Sequence, residues 1–210
     1  MMYAGYSSHT KYTGWFPSHR NLSLPLTLRL HVSSQILAEW CASGADDDAT
    51  AIEGISFDIF CGLLPIADPD GILDSQPEIT GFIPTDEAFV ALYDLLDMAG
   101  LEIDDSLITE LIMFHFTQGL ITTDDLECGG EIEMMAGGDS RTKCGNKDDG
   151  SGIIYYIQKG GGNRKNDIEP FLIGPDIIAE NCATPNVMHI IDQVMLPNFV
   201  DAVLSQKFTP

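Results

Sequence analysis

Basic residues are scarce in this sequence and are missing altogether from its longest part. The chain of 210 residues contains 10 Lys and Arg against 32 Asp and Glu, which gives a formal net charge of −22. No Lys or Arg occurs from His31 to Ser140. Nucleic acids and anionic lipid surfaces need clustered cations to hold their phosphates, so the composition argues against both as partners.

Long hydrophobic segments are also missing, although apolar residues make up 44% of the chain. No apolar run approaches the roughly 20 residues that a membrane-spanning helix needs. The apolar fraction is sufficient for a hydrophobic core. The length suits one domain of about 100–150 residues that is preceded by a leader.

The motifs of common catalytic and cofactor sites are missing as well. The sequence has no G-x-S-x-G nucleophile elbow, no H-E-x-x-H metal motif and no Walker-type phosphate loop. Lys159–Lys165 has the wrong spacing for a phosphate loop and is interpreted as a solvated hairpin loop. Three acidic clusters have the composition of weak divalent-cation sites, but none has the spacing of an EF-hand: Asp46–Asp48, Asp68–Gly71 and Lys147–Gly150. We therefore predict no catalytic, cofactor or metal site.

The N-terminal segment differs in composition from the rest of the chain. Residues 1–30 are rich in Ser, Thr and Leu, and they contain Lys11, Arg20 and Arg29 but no Asp or Glu. This composition is typical of a targeting sequence, and both a secretory signal and an organelle transit peptide remain open. We interpret residues 1–42 as a leader, 43–53 as an acidic linker, 54–205 as one domain and 206–210 as a tail.

Hydrophobic periodicity predicts mainly helices in the first part of this domain and strands in the second. The predicted helices are Ser56–Leu64, ended by Pro65; Thr85–Ala99, ended by Gly100; and Asp105 or Ser106 to His115. The predicted strands are Ile79–Ile83, Glu131–Ala136, Ile153–Gln158 and Val187–Leu196. Helices that precede strands indicate an α+β fold rather than alternating α/β units.

Two short segments carry the most specific pattern in the chain. Thr80–Phe89, TGFIPTDEAF, runs from a strand end into a helix start, where Pro84 ends the strand and Thr85 is suited to cap the helix. Asn186–Pro197, NVMHIIDQVMLP, is an apolar run with one His and one Asp that ends at a proline.

With Leu111–Phe116, LIMFHF, between them, these segments resemble the signature boxes of the fasciclin (FAS1) domain family. The resemblance extends from about Gly54 to Leu204. It implies a wedge-shaped β-sandwich with a cluster of α-helices against one side. The motif positions are interpreted as structural: Thr80, Pro84, Thr85, Asp86, Phe89, Phe114, His115, Asn186, His189, Asp192 and Pro197.

The resemblance also implies a function, which is that of a non-enzymatic, secreted adhesion or matrix module that binds proteins or polysaccharides through exposed faces. The alternative is an intracellular or plastid protein that binds a small apolar ligand or a membrane-associated partner. The chain departs from the family pattern at two places. Pro185-Asn186 replaces the usual Asn-Gly, and Phe114 replaces the tyrosine that usually precedes the motif histidine, here His115.

One segment differs electrostatically from the acidic remainder of the domain. Six of the ten basic residues lie between Arg141 and Lys165. We interpret Arg141, Lys143, Arg164 and Lys165 as a candidate binding patch for an acidic polysaccharide or for an acidic face of another copy.

The five cysteines allow more than one pairing. Cys128 and Cys144 lie symmetrically about a predicted turn at Ala136–Gly137, so a hairpin would bring them within disulfide range, and they are the favoured pair. Cys61 and Cys182 are a possible second pair, which leaves Cys41 over. The alternative is five reduced cysteines in a cytosolic protein.

Overall fold

The computed structural model describes residues 37, 41, 54–146, 154–163, 167–181, 184–198 and 200. Four α-helices are described from end to end: α1 (Asp58–Ala67), α2 (Ile72–Ser75), α3 (Asp86–Met98) and α4 (Asp105–Met113). The strands are β1 (Ile79–Pro84), β2 (Phe116–Gln118), β3 (Glu131–Glu133), β4 (Asp139–Asn146), β5 (Ile154–Lys159), β6 (Leu172–Asn181) and β7 (Thr184–Ile191).

The described strands form two sheets. The larger sheet has the order β2-β1-β7-β6, in which β1 and β7 are parallel and the outer strands are antiparallel to them. The smaller sheet is the antiparallel meander β3-β4-β5. A bridge between Ile157 and Phe171 and a hydrogen bond from the Met135 N–H to the Phe116 carbonyl connect the two sheets.

The core occupies both faces of the larger sheet, which is why all six residues of β1 are buried. Alternate side chains of a strand point to opposite faces. Ile79 and Ile83 belong to the main cluster with the helices, which contribute Phe60, Phe89 and Ile112. On the other face, Phe82 packs in a smaller cluster with Phe114, Met134, Ile191 and Met195. The observed architecture is α+β, with the helices against one face of the larger sheet.

Polar side chains accept hydrogen bonds from backbone N–H groups at the start of α3 and of α1. The Thr85 hydroxyl accepts a hydrogen bond from the Ala88 N–H at 3.2 Å, which is the predicted cap of α3. The carboxylate of Asp86 accepts from the N–H groups of Asp58 and Ile59, so one motif residue satisfies two of the free amides at the start of α1. Pro65 lies in the last turn of α1 rather than ending it, and the helix continues to Ala67.

Hydrophobic periodicity did not predict three of the observed strands, which are β2, β4 and β6. The buried face of β4 is polar: Ser140 and Thr142 point inwards, and both contact the buried side chain of Gln158 through hydrogen bonds of 2.7 and 2.8 Å. Strand β6 pairs with β7 through two register shifts between Leu172 and Ile177. Strand β7 ends at Ile191, earlier than predicted, and residues 192–197 continue as irregular chain.

The disulfides differ in part from the sequence prediction. Cys128 and Cys144, the favoured pair, form a disulfide across the β3–β4 hairpin with their Cα atoms 5.5 Å apart. Cys61 forms its disulfide with Cys41 instead of Cys182, so the prediction that Cys41 is left over is wrong. The spacing of cysteines could not show this, because residues before position 54 contribute to the core: Leu37 is 1% exposed within the main cluster. Cys182 lies outside the described residues.

Candidate binding surface

The motif residues lie in the interior and hold separate segments together. Thr80 donates a hydrogen bond to the Gly119 carbonyl and accepts one from the Ile121 N–H, both at 2.8 Å. The side-chain oxygen of Asn186 accepts from the Ile79 N–H at 3.1 Å. These bonds satisfy backbone N–H and carbonyl groups that are not paired within the strand ladders.

His115 is fully buried at the end of α4. Its Nδ1–H donates to the Leu111 carbonyl at 2.7 Å, and its Nε2 accepts from the Met195 N–H at 3.0 Å. Both nitrogens are therefore satisfied in the neutral ring, and burial lowers the pKa of His115 to about 4. The residue joins α4 to the segment that follows β7.

His189 is also fully buried, but it uses the opposite tautomer. Its Nδ1 accepts from the Asp176 N–H at 3.2 Å, and its Nε2–H donates to the Ile121 carbonyl at 2.8 Å. The ring stacks on Phe82 at a centroid distance of 5.2 Å. Burial lowers the pKa of His189, so the ring is neutral although the Asp176 carboxylate lies 4.0 Å away.

The other motif residues complete the same scaffold. Pro84, Phe89, Phe114 and Pro197 are buried. Phe114 packs in the smaller cluster, and His115 next to it makes both its hydrogen bonds without the hydroxyl that a tyrosine would bring. The half-buried Asp192 accepts from the Phe171 N–H at 2.8 Å, and burial raises the pKa of its carboxyl group. These side chains therefore serve mainly the interior of the domain, and Asp192 is the one among them that is partly exposed.

The glycine-rich segment, as far as the structure describes it, is not the solvated loop that we predicted for Lys159–Lys165. Gly160–Asn163 is buried against residues 194–198, and a Cβ atom at Gly160, Gly161 or Gly162 would overlap with that chain. Asn163 fixes the approach: its side-chain oxygen accepts from the Gly160 and Leu196 N–H groups, and its amide donates to the Val194 carbonyl. The glycines serve close backbone packing, which a sequence motif cannot distinguish from a flexible turn.

The described part of the candidate basic patch is internally paired. Arg141 contacts Glu131 at 2.7 Å, and Lys143 contacts Glu169 at the same distance. The hydrogen bond and charge of Lys143 lower the pKa of Glu169. Lys159 also approaches Glu169, at 3.5 Å. Arg164 and Lys165 lie outside the described residues. These exposed ion pairs are weak, but they place a carboxylate beside each described cation of the patch.

A cleft of about 700 Å³ opens between the two sheets. Strand β2 forms one wall, β3 forms the other, and the segment from Ile121 to Glu127 closes an end. Four carboxylate side chains belong to its lining: Asp125, Glu127, Glu131 and Glu133. Asp125, Glu127 and Glu133 are exposed, and the Asp125 carboxylate accepts from the N–H and hydroxyl of Thr122.

A second cavity, of about 240 Å³, lies among the helices. It is mainly apolar, and its lining includes Leu63, Leu92, Leu96, Leu107 and Val200. The described residues contain no group of three or more His, Cys, Asp or Glu arranged to hold a metal ion. Of the acidic clusters named above, Asp68 accepts hydrogen bonds from the Ile72 and Leu73 N–H groups at the start of α2, and the other two lie outside the described residues.

The comparison with known proteins agrees with this architecture. The family model described as Fasciclin domain matches residues 56–197, more than half of the chain. The chain belongs to the fasciclin family. A FAS1 domain pair from the insect cell adhesion molecule fasciclin I is similar in structure, with 16% sequence identity and a TM-score of 0.48. That similarity covers 65% of this chain and 44% of the other, so this chain spans less than half of that structure's length. No curated protein matches the sequence.

Fasciclin domains are generally adhesion modules rather than catalysts. In this fasciclin domain the described motif residues belong to the scaffold, and the candidate binding surfaces among the described residues include the paired basic patch, the acidic cleft and the apolar cavity. No helix among the described residues is long and apolar enough to cross a membrane. Sequence reasoning missed the cleft, although Glu131-Ile-Glu133 has the alternation of a strand with one charged face.

Proposed function

We propose that this fasciclin domain is a non-enzymatic extracellular adhesion or matrix module that binds proteins or polysaccharides through exposed faces. The observation that carries the proposal is the family match over residues 56–197. The two disulfides support it, because structural disulfides persist in oxidising compartments and are rare in the cytosol. The surface chemistry favours a protein over an acidic polysaccharide, since carboxylates accompany the described cations of the patch.

Localisation tests the extracellular part of this proposal. Cells that express the full chain are separated into medium, surface-bound and internal fractions, and the protein is quantified in each. We expect it in the medium or at the cell surface. Accumulation inside an organelle would favour the alternative function instead.

Binding to an acidic polymer tests the polysaccharide arm. Charge reversal of Arg141, Lys143, Arg164 and Lys165 should weaken binding to an immobilised sulfated polysaccharide at low salt and leave the circular dichroism spectrum unchanged. If the unaltered domain does not bind such a polymer at low salt, the basic patch has no role in polysaccharide binding.

The second candidate is an intracellular or plastid protein that binds a small apolar ligand. The apolar cavity among the helices favours it, because ligand sites are concave and mostly apolar. Native mass spectrometry of protein purified from its own compartment measures whether a ligand is retained. A mass equal to that of the chain alone, under conditions that preserve the fold, would count against this candidate.

A further inference from the structure

The acidic cleft lies between the outer strands of the two sheets, whose facing edges are bonded to each other at one end only. Strand β2 is an outer strand of the larger sheet, and β3 is an outer strand of the smaller one. Two contacts hold the strands together at one end: the Met135 N–H donates to the Phe116 carbonyl, and the Thr117 hydroxyl donates to the Glu133 carbonyl at 2.7 Å. Beyond these contacts, no described strand pairs with the outer edge of either β2 or β3.

The hydrogen-bond pattern shows which backbone groups of β3 face the cleft. The Thr142 N–H donates to the Gly130 carbonyl, and the Met134 N–H donates to the Gly138 carbonyl. In an antiparallel pair, residues that bond to the partner strand alternate with residues that point away from it. Glu131 and Glu133 therefore direct their N–H groups, and Glu131 its carbonyl, away from β4 and into the cleft.

The side chains along this edge carry unbalanced negative charge. Glu131 is opposite Arg141 and pairs with it. Glu133 is opposite Asp139, so two exposed carboxylates face each other directly across the ladder. Like charges in this position destabilise a sheet. Glu127 adds a further exposed carboxylate to the cleft, and the described structure gives neither it nor Glu133 a cationic partner.

We propose that the outer edge of β3 is a docking site for an extended segment of a partner protein that carries Lys or Arg at alternate positions. The segment adds a fourth strand to the smaller sheet, with its backbone bonded to the N–H and carbonyl of Glu131 and to the N–H of Glu133, whose carbonyl already accepts from Thr117. This inference rests on the proposed adhesive function and names the surface and the chemistry of the partner.

Charge selects this occupant over the alternatives. Glu131 and Glu133 are two residues apart, so they lie on the same face and meet every second side chain of an added strand. Cations at these alternate positions relieve the repulsion between Glu133 and Asp139. A second copy that presented the same edge would bring two sets of carboxylates together, so the acidic side chains disfavour self-association through β3.

Binding of defined peptides to the whole protein tests the proposal. The probe is a labelled, terminally blocked peptide that alternates Lys with Thr or Val, and fluorescence anisotropy at low and physiological salt measures its affinity. One control peptide has Glu in place of Lys, and another has the same composition with the lysines contiguous. We expect the alternating basic peptide to bind at least about tenfold more tightly than both, since only it matches charge and register.

Backbone methylation separates strand addition from general attraction to an acidic protein. Only one alternate set of peptide amides faces the added neighbour in a strand. N-methylation of one set should therefore weaken binding about tenfold, and N-methylation of the other set should not. Equal effects of the two methylated sets, or equal binding of the alternating and contiguous lysine peptides, would overturn the proposal.

Variants at Glu133 test the same edge from the protein side. Glu133→Thr and Glu133→Pro remove the same charge, but only proline removes the N–H that faces the cleft. An outward-facing N–H on an edge strand is a position that tolerates proline. We expect Glu133→Pro to weaken binding clearly more than Glu133→Thr, and Glu110→Gln, an exposed change on α4, to leave it unchanged.

Each outcome of these measurements bears on the proposal. Equal binding by the threonine and proline variants would contradict it. If Glu133→Pro does not fold, as judged by circular dichroism, the binding of the two N-methylated peptides to the unaltered protein decides whether the proposal holds. A domain that is secreted and adhesive but ignores the alternating peptide would overturn this inference and leave the proposed function intact.

Discussion

At the scale of single residues, the two motif histidines show how a titratable side chain becomes part of a core. His115 donates through Nδ1 and accepts through Nε2, whereas His189 does the reverse. Each ring joins backbone groups from two distant segments. Each ring makes both of its hydrogen bonds only when it is neutral, because one nitrogen must donate and the other must accept. Protonation would add a charge in the interior and remove an acceptor, so acid should destabilise the fold at both positions.

Replacement of His115 by Gln should make stability less dependent on acid. The folded pKa of about 4 lies below the usual value of 6.5, so the unfolded chain binds a proton first as the pH falls. The contribution is fully present above pH 6.5 and is lost progressively between pH 6.5 and 4. Its size follows from the pKa difference and is on the order of 3 kcal/mol.

The measurement is urea unfolding of the unaltered protein and of His115→Gln at pH values from 7 to 4. The difference between them matters, because protonation of the many carboxylates changes both proteins in the same way. We expect the stability advantage of the unaltered protein to shrink as the pH falls. Parallel stability curves would show that His115 does not titrate as described.

Removal of the His189 ring should destabilise the fold directly. His189→Ala leaves the Asp176 N–H and the Ile121 carbonyl without their partner, which should cost on the order of 1–3 kcal/mol. Thermal unfolding at neutral pH measures the loss. An unchanged midpoint would mean that these groups find other partners and that His189 is not structural.

At the scale of elements, the features that depend on neighbouring residues could be predicted from the sequence, and those that depend on contacts between distant segments could not. The start of α3 follows from Thr85, since the cap depends only on residues close in sequence. Strand β4 escaped prediction because its inward residues, Ser140 and Thr142, are polar and satisfied by Gln158 from another strand. The support that Asp86 gives to the start of α1 could not be predicted either, because the two segments lie 27 and 28 residues apart in the sequence.

The buried glycine turn makes a testable claim about how elements are joined. Asn163→Ala removes three side-chain hydrogen bonds to the backbone of Gly160, Val194 and Leu196. We expect a loss of about 2–4 kcal/mol in the free energy of unfolding, since the backbone groups stay buried without partners.

The matched control is Asn146→Ala, because Asn146 is exposed at the end of β4. This change should alter stability by less than about 0.5 kcal/mol. Equal small effects of the two substitutions in chemical denaturation would show that the turn is not fixed by Asn163.

At the scale of the whole molecule, the sequence indicated the family and the acidic surface, but not where the domain begins or where its cleft lies. Leu37 packs in the core and donates its N–H to Asp74, and Cys41 is bonded to Cys61, although both precede the predicted boundary at residue 54. Such contacts are long-range, and no local pattern reports them. We therefore propose that any leader is cleaved before Leu37, so that the mature protein keeps Cys41.

Mass spectrometry of the protein from its native compartment, with thiols alkylated before and after reduction, tests the central claim most directly. A secreted fasciclin module should have a processed N-terminus upstream of Leu37 and disulfide-linked peptides that join Cys41 to Cys61 and Cys128 to Cys144. Alkylation of Cys128 and Cys144 without prior reduction would contradict both the pairing and the extracellular function.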